Sequence, residues 1–436
     1  MASSTVATAP EAQAQFTLDP KQQEAVDLCC DVTKRVVGIT GPAGSGKTTI
    51  LKQVHNLLVD HGYTVALVSP TGKAAKRIYE ATGLEAMTIH RLLEYTHPGE
   101  PDPKTGKTVR FSFPRRTRSN PVEYDVVLAD EYAMVNTEVH RSLFDALPHG
   151  GAIRVFGDDN QLPPIEEDKR LQAQPSPFMA LLNKFPSVTL DVIHRQGKDS
   201  GILLNLQSIL RGRMPTRNDQ WTMHFTEQPV DALRDFVLHS LEREVDFSSI
   251  ENQVLTPQNT SWVGTVKLNI MIQSLFHNRM DPALFVPRHN WVKGEGDEKG
   301  GLIRMFVGDK VICTRNMYDL HVFNGESGRI IEISNDGEII IDFGDREQAI
   351  PPILMVQNRY GKIVEVDPRK DIDLGYAITT HKSQGSEYKS LVYVLNKSTG
   401  WMQNRRNLYT ACARGREHVH IITDQRSLTQ SLYKRG

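Results

Sequence analysis

The stretch Val36 to Thr48, VVGITGPAGSGKT, constrains this chain more than any other. A short, apolar, β-branched run leads into a loop holding Gly41, Gly44 and Gly46, and a helix-like stretch, TILKQVHNLLVDHG, follows it. Strand, glycine loop and helix are the context in which successive backbone N–H groups turn inward onto phosphate oxygens at a helix N-terminus, where the dipole also favours negative charge. On this reading Gly41, Pro42, Ala43, Gly44, Ser45 and Gly46 form the cradle, with Thr49 in the helix turn behind it. Lys47 reaches the β and γ phosphates and the Thr48 hydroxyl ligates Mg²⁺. A loop of this kind sits at the end of a buried parallel strand, so the fold class is α/β.

Hydrolysis of a nucleoside triphosphate also needs an acid for the metal and a group that positions the attacking water. Asp125 to Glu131, DVVLADE, supplies both at the end of a second apolar run: Asp130 for Mg²⁺, Glu131 as general base. A third run, Ala152 to Phe156, ends in GDDNQLPP and places Gln161 where it can sense the γ-phosphate.

At 436 residues the chain exceeds what one core normally supports, so at least two domains are expected. No apolar run reaches the roughly 18 residues of a membrane span. The first fifteen residues lack the basic and apolar regions of a signal peptide, which makes them a tail and the protein cytoplasmic. Cys29, Cys30, Cys313 and Cys412 form no CxxC pair and have no nearby His at ligand spacing, so reduced, mostly buried thiols are expected. The formal net charge of -1 conveys nothing about a polyanionic partner. A local segment does: between Pro101 and Asn120, Lys104, Lys107, Arg110, Arg115, Arg116 and Arg118 face the single acid Asp102 and are interleaved with Phe111 and Phe113. Lys104 to Lys107 reads as a turn and Thr108 to Phe113 alternates with period two, as one arm of a hairpin.

From Leu18 to the C-terminus these segments, in this order, resemble superfamily 1 helicases, with the best match in the RecD-like branch that includes the phage Dda helicases. LDPKQQEAV looks like the family's Q motif, whose glutamine, Gln22, would read the adenine edge and favour ATP. VALVSPTGKAAKR, from Val65, is similar to motif Ia, and Thr88 to Leu92 to the segment beside it; Pro70, Thr71, Lys73 and His90 are the implied DNA contacts. VIHRQ, from Val192, resembles motif IV, and RNLYTACARGR, from Arg406, motif VI; Arg195 and Arg414 look like arginine fingers that cross to the transferring phosphoryl group. AITTHKSQGSEY, from Ala377, is close to motif V and carries the branch assignment: Thr380, His381, Lys382 and Ser383 would face the DNA backbone and Glu387 the ribose, while Thr256 would touch DNA from the end of another strand. Two departures stand out. Motif II continues Tyr132-Ala133-Met134 where small residues and a serine are usual, and Ala413 replaces a common threonine in motif VI. Hydrolysis should survive both, whereas coupling between the ATP site and the DNA groove is where they fall.

The resemblance implies two RecA-like P-loop NTPase lobes: residues 1–15 a tail, 16–93 and 122–188 the first lobe, 94–121 a hairpin insertion acting as a pin, 189–280 and 371–436 the second lobe, and 281–370 an SH3-like β-barrel insertion. Turns at Asn324-Gly325 and Asn335-Asp336-Gly337 between short β runs fit the last. The implied activity is ATP- and Mg²⁺-dependent translocation 5′ to 3′ on single-stranded DNA with unwinding at a duplex fork, by a monomer, in replication, recombination or repair. Single-strand-binding or replication proteins are the partners such a motor suggests. Two alternatives stay open: a motor subunit of a larger nuclease complex, and an ATP-gated nucleic-acid clamp. RNA as substrate also stays open, because backbone contacts separate DNA from RNA poorly.

Overall fold

The computed structural model describes residues 18–96, 113–166, 168–192, 200–278, 281–287, 302–357 and 363–434. The expected tail, Phe111, the hairpin turn at Lys104 to Lys107 and Arg195 lie outside them.

Six strands, β1 (Val36–Thr40), β2 (Val65–Ser69), β3 (Met87–Thr88), β4 (Val126–Ala129), β5 (Ala152–Gly157) and β6 (Ser187–Thr189), form a wholly parallel sheet in the order β3-β2-β4-β5-β1-β6. β1, β4 and β5 are buried along their full length, as their near-continuous apolar sequences require of strands covered on both faces. Two apolar clusters, one led by Val54, Ile50 and Phe156 and the other by Leu143, Val155 and Phe178, form the core on either side. Because β4, β5 and β1 are neighbours, the loops leaving their C-terminal ends are neighbours too. Those loops carry Asp130-Glu131, Asp158 to Gln161 and the glycine loop.

The helix Pro20–Cys30 is fixed at both ends. Asp19 and Gln22 form a capping box at its start. At its far end the buried Arg154 of β5 donates to the carbonyls of Cys29, Asp31 and Lys34, so the guanidinium caps a helix C-terminus where backbone acceptors would be orphaned.

A second parallel sheet begins with β7 (Trp221–Phe225) and β8 (Asn252–Thr256). Between β8 and its next strand lie β9 (Leu284–Pro287), β10 (Leu302–Met305), β11 (Lys310–Cys313), β12 (Ser327–Ile333), β13 (Ile339–Asp342), β14 (Glu347–Ile350), β15 (Leu354–Gln357), β16 (Ile363–Val366) and β17 (Ile372–Leu374). β18 (Ala377–Thr379), β19 (Tyr388–Val394) and β20 (Gly415–Thr423) then complete the order β18-β8-β19-β20-β7. The intervening strands are antiparallel: a five-stranded sheet ordered β14-β13-β12-β11-β17 with the pairs β9/β10 and β15/β16 beside it. The turns expected at Gly325 and Gly337 are present, both glycines at positive φ. The insertion shares one buried cluster with the second lobe, Ile330, Ile339 and Ile341 packing into the core that holds Leu233, Val254 and Leu268. Its sheet runs on through Leu374, past the expected resumption of the lobe near 371.

No helix among the described residues is long and apolar enough to cross a membrane. Cys29, Cys313 and Cys412 are buried and Cys30 is half-buried.

Candidate functional site at the junction of the two parallel sheets

The glycine loop follows β1, and the helix Lys47–Asp60 begins inside it. Gly44 and Gly46 hold φ of 83° and 85°, a conformation that disfavours any side chain, and a Cβ on Gly46 would meet the Gln22 amide at 2.4 Å. The loop is thus shaped for backbone N–H groups to face a ligand. The Lys47 ammonium donates to the Gly41 and Pro42 carbonyls at 2.7 and 3.0 Å, resting on the cradle it would serve. Ser45 Oγ is buried with no hydrogen-bond partner. Thr48 is half-buried at the helix start and Thr49 is exposed beside it.

Asp130 and Glu131 leave β4 in an abrupt turn. Glu131 has φ 50°, and its N–H donates to Asp130 Oδ1 at 2.8 Å. Burial, aided by Glu131, pushes the Asp130 carboxyl up to about 6, with Lys47 and Arg77 pulling the other way. A carboxylate that resists ionisation beside a phosphate cradle suits a site completed by a cation. Among the described residues no group of three or more His, Cys, Asp or Glu could hold a metal alone. The Thr48 hydroxyl and Asp130 are oxygen donors of the kind that Mg²⁺ takes when it is also bound by phosphates.

After β5, Asp159 Oδ1 accepts from the Thr40 hydroxyl at 2.7 Å, tying this loop to the strand that feeds the cradle. Asp158 is fully buried, and burial raises its pKa. Gln161, the proposed γ-phosphate sensor, is buried with its Oε1 unpartnered.

The second sheet answers from the helix Arg405–Cys412. The Tyr409 hydroxyl donates to Asp158 Oδ2 at 2.6 Å and accepts from the Ala43 N–H at 3.1 Å, so one oxygen touches the phosphate loop and the loop after β5 together. The neighbouring Thr410 hydroxyl accepts from the Leu162 N–H, and Gln384 donates to the Leu162 carbonyl. Sequence reasoning passed over Tyr409, Thr410, Gln384 and Asp158. The signal was present in NLYT, since a tyrosine and a threonine side by side on a short helix are unusual polar cargo for a buried face. Arg414, 3% exposed, donates to the Thr410 and Ser386 carbonyls of its own lobe. A guanidinium so placed, with neutral oxygens for partners, is an anion site in waiting. Tyr132 and Ala133 lie in the core of the first lobe, the Tyr132 hydroxyl bonded to His140.

Several expected contacts take other roles. Gln22 is fully buried; its Oε1 accepts from the Asp19 N–H and its Nε2 donates to the Ser45 carbonyl, so the amide braces the glycine loop from behind instead of presenting an open edge to adenine. Glu387 pairs with Arg77 of the first lobe at 2.5 Å, not with an open ribose position. Thr256, Thr380 and Ser383 are fully buried, their hydroxyls donating to the Val263 carbonyl, to Asn407 Oδ1 and to the Thr380 carbonyl. Thr380 and Ser383 hold the turn after β18 in shape and Thr256 the loop after β8, and His381 and Lys382 in the first of these turns are half-buried. Thr71 caps the helix Gly72–Thr82, with half-buried Pro70 before it. Burial pushes the Lys73 ammonium down to about 8, and Glu326 of the insertion counters this. His90 is exposed, its ring 4.7 Å from that of Tyr95. Phe113 is 41% exposed and its backbone pairs with Thr96, while Tyr95 and Pro114 form an antiparallel bridge. These contacts close the base of the basic segment.

Two family profiles match the chain: an AAA domain over residues 17–224 and a UvrD-like helicase C-terminal domain over 374–422. The chain is 30% identical over 386 residues to the ATP-dependent RecD2 DNA helicase of Deinococcus radiodurans, covering 88% of this chain and 46% of that protein. It is 25% identical over 429 residues to the RecBCD enzyme subunit RecD of Mycolicibacterium smegmatis, covering 88% and 67%. The chain thus spans about half the length of the first of these relatives. Pif1 from Bacteroides bound to single-stranded DNA superposes with a TM-score of 0.59 at 20% identity over 96% of this chain and 94% of that one, and Pif1 from Candida albicans with 0.53 at 17% over 96% and 97%. These likenesses establish a shared fold of two RecA-like lobes.

Proposed function

Because this chain belongs to the RecD-like branch of the superfamily 1 helicases, we propose that it hydrolyses ATP with Mg²⁺ between its two lobes and uses the cycle to move 5′ to 3′ along single-stranded DNA and open duplex. The observation that carries this reading is the Tyr409 hydroxyl, bonded at once to the phosphate loop and to Asp158. Any change at the cradle is felt directly by the second lobe.

The residues divide the work. Lys47 leaves the Gly41 and Pro42 carbonyls for the phosphates, and the loop N–H groups complete the cradle. Mg²⁺, held by Thr48 and Asp130, would neutralise phosphate charge and keep Asp130 ionised. Glu131 takes a proton from water as its oxygen bonds to the γ-phosphorus and the bond to the β-phosphate oxygen breaks. Gln161 donates from its amide Nε2 to the γ-phosphate and leaves its free Oε1 to accept from the attacking water. Arg414 exchanges two backbone carbonyls for the transferring group as the lobes close, and Arg195 is proposed as a second finger. His381 and Lys382 face the DNA backbone together with Thr71, Lys73 and His90, and the segment rooted at Phe113 serves as the pin at the fork.

Strand displacement on DNA and RNA duplexes with 5′ or 3′ tails tests the reading. A 5′ tail on DNA should be required, and efficient opening from a 3′ tail alone overturns the direction. RecBCD subunits among the relatives favour a second reading, a motor that works within a nuclease assembly. Unwinding by the purified chain alone separates the two.

A further inference from the structure

Two tryptophans stand in solvent at the C-terminal edge of the second parallel sheet. Trp262, 62% exposed, lies in the loop after β8, and Trp401, 73% exposed, in the loop after β19. β8 and β19 are neighbours, and the loops are joined: the Trp262 N–H donates to Ser398 Oγ at 3.2 Å and Gln258 Nε2 to the Thr399 carbonyl at 2.5 Å. Both indoles sit on held backbone. The Val263 carbonyl accepts from the Thr256 hydroxyl, and the Trp401 carbonyl from Lys434 Nζ. The site is continuous with the turn after β18, because the Thr380 N–H donates to the Thr256 carbonyl at 3.0 Å.

The charge around the pair is one-sided. Residues 257–276 and 395–414 contain no Asp or Glu, in a chain with 52 of them. Lys267, Lys397 and Lys434 are exposed there, and Lys267 Nζ lies 3.4 Å from the centre of the Trp262 ring, fixing the indole and putting positive charge beside it. Aromatic faces on segments that carry cations and no carboxylate suit a polyanion whose flat groups are unpaired.

We propose that Trp262 and Trp401 form a stacking platform for bases of single-stranded DNA, extending the strand's path beyond the turn at His381 and Lys382. This rests on the helicase reading. It predicts a preference for unpaired bases, since a duplex offers its π faces only at its ends.

The test uses the full chain and fluorescein-labelled oligo-dT, an abasic oligonucleotide of equal length, and a blunt duplex, with affinity read by anisotropy without nucleotide. Trp262→Ala and Trp401→Ala should each weaken oligo-dT binding about fivefold to tenfold, with Trp262→Phe retaining most of the affinity. Abasic and duplex binding should be unchanged, as should the melting temperature and the DNA-free ATPase rate. A double variant that binds oligo-dT within about twofold of wild type overturns the platform, as does an equal loss on the abasic strand, which would assign the effect to charge alone. A wild-type chain that binds no single-stranded DNA overturns the helicase reading itself; binding by wild type with no loss in the variants sinks only the platform.

Discussion

The two parallel sheets are the same architecture used in opposite ways. The first carries its chemistry in loops at the C-terminal ends of β1, β4 and β5, where backbone N–H groups, Lys47, Asp130 and Gln161 converge. The second carries almost none of its own: near the cradle it meets the first with the Tyr409 and Thr410 hydroxyls and the Gln384 amide, pairs Glu387 with Arg77, and keeps its arginine, Arg414, folded on its own carbonyls. On the proposed reading the first lobe is a preformed binding site, and the second supplies the sensor and the last charge to arrive. Tyr409 and Thr410 bridge the lobes from one helix.

If the first lobe alone holds the phosphates, Lys47→Ala should have the largest effect, abolishing ATP hydrolysis and unwinding while single-strand binding persists. Normal DNA-stimulated turnover in a folded Lys47→Ala protein would break the comparison at its base.

Arg414→Ala comes next. As the second lobe's late charge it should leave ATP binding close to normal and slow hydrolysis by about 10³. Binding measured with a fluorescent ATP analogue and single-turnover hydrolysis separate the two, and wild-type turnover would remove Arg414 from the reaction.

Tyr409→Phe sharpens the comparison, because it deletes one oxygen and keeps the ring. The Ala43 N–H and Asp158 Oδ2 each lose a partner, which should cost about 1 to 3 kcal/mol of stability. Stimulation of the ATPase by DNA should fall several-fold while the DNA-free rate holds. Equal losses in both rates would make Tyr409 a packing residue only.

The placement of the proposed phosphate site was legible in sequence because its parts are local: the glycines, Lys47, Thr48 and the Asp130-Glu131 pair each follow an apolar strand within a few residues. The turns at Gly325 and Gly337 were legible for the same reason, since Asn-Gly and Asp-Gly encode positive φ directly. What escaped was pairwise and long-range. Tyr409 meets Ala43 across 366 positions and Gln384 meets Leu162 across 222, and no periodicity reports such a contact. Thr256, Thr380 and Ser383 show the converse error, in which hydroxyls expected at a groove are consumed inside the lobe to hold the loop after β8 and the turn after β18. The insertion read correctly as β-rich, whereas its sharing of a core with the second lobe could not be read from alternation alone.

The smallest expected effect concerns Asp130. Its carboxyl is pushed up to about 6 from the ordinary 3.8, chiefly by burial, so the nucleotide-free folded state binds a proton that the unfolded chain has already released. Below pH 4 both states are protonated and the folded state carries no penalty. As pH rises from about 4 to 6 the unfolded chain ionises first, stability falls, and above pH 6 the whole penalty is present. Asp130→Asn removes the titration, so the nucleotide-free variant should melt a few degrees higher than wild type at pH 7.5 and no higher at pH 4. The same variant should hydrolyse ATP poorly at every pH, since an amide is a weak ligand for Mg²⁺. A melting difference equal at both pH values would show that the buried charge of Asp130 costs the first lobe nothing, and that its site is less preformed than the contrast with the second lobe requires.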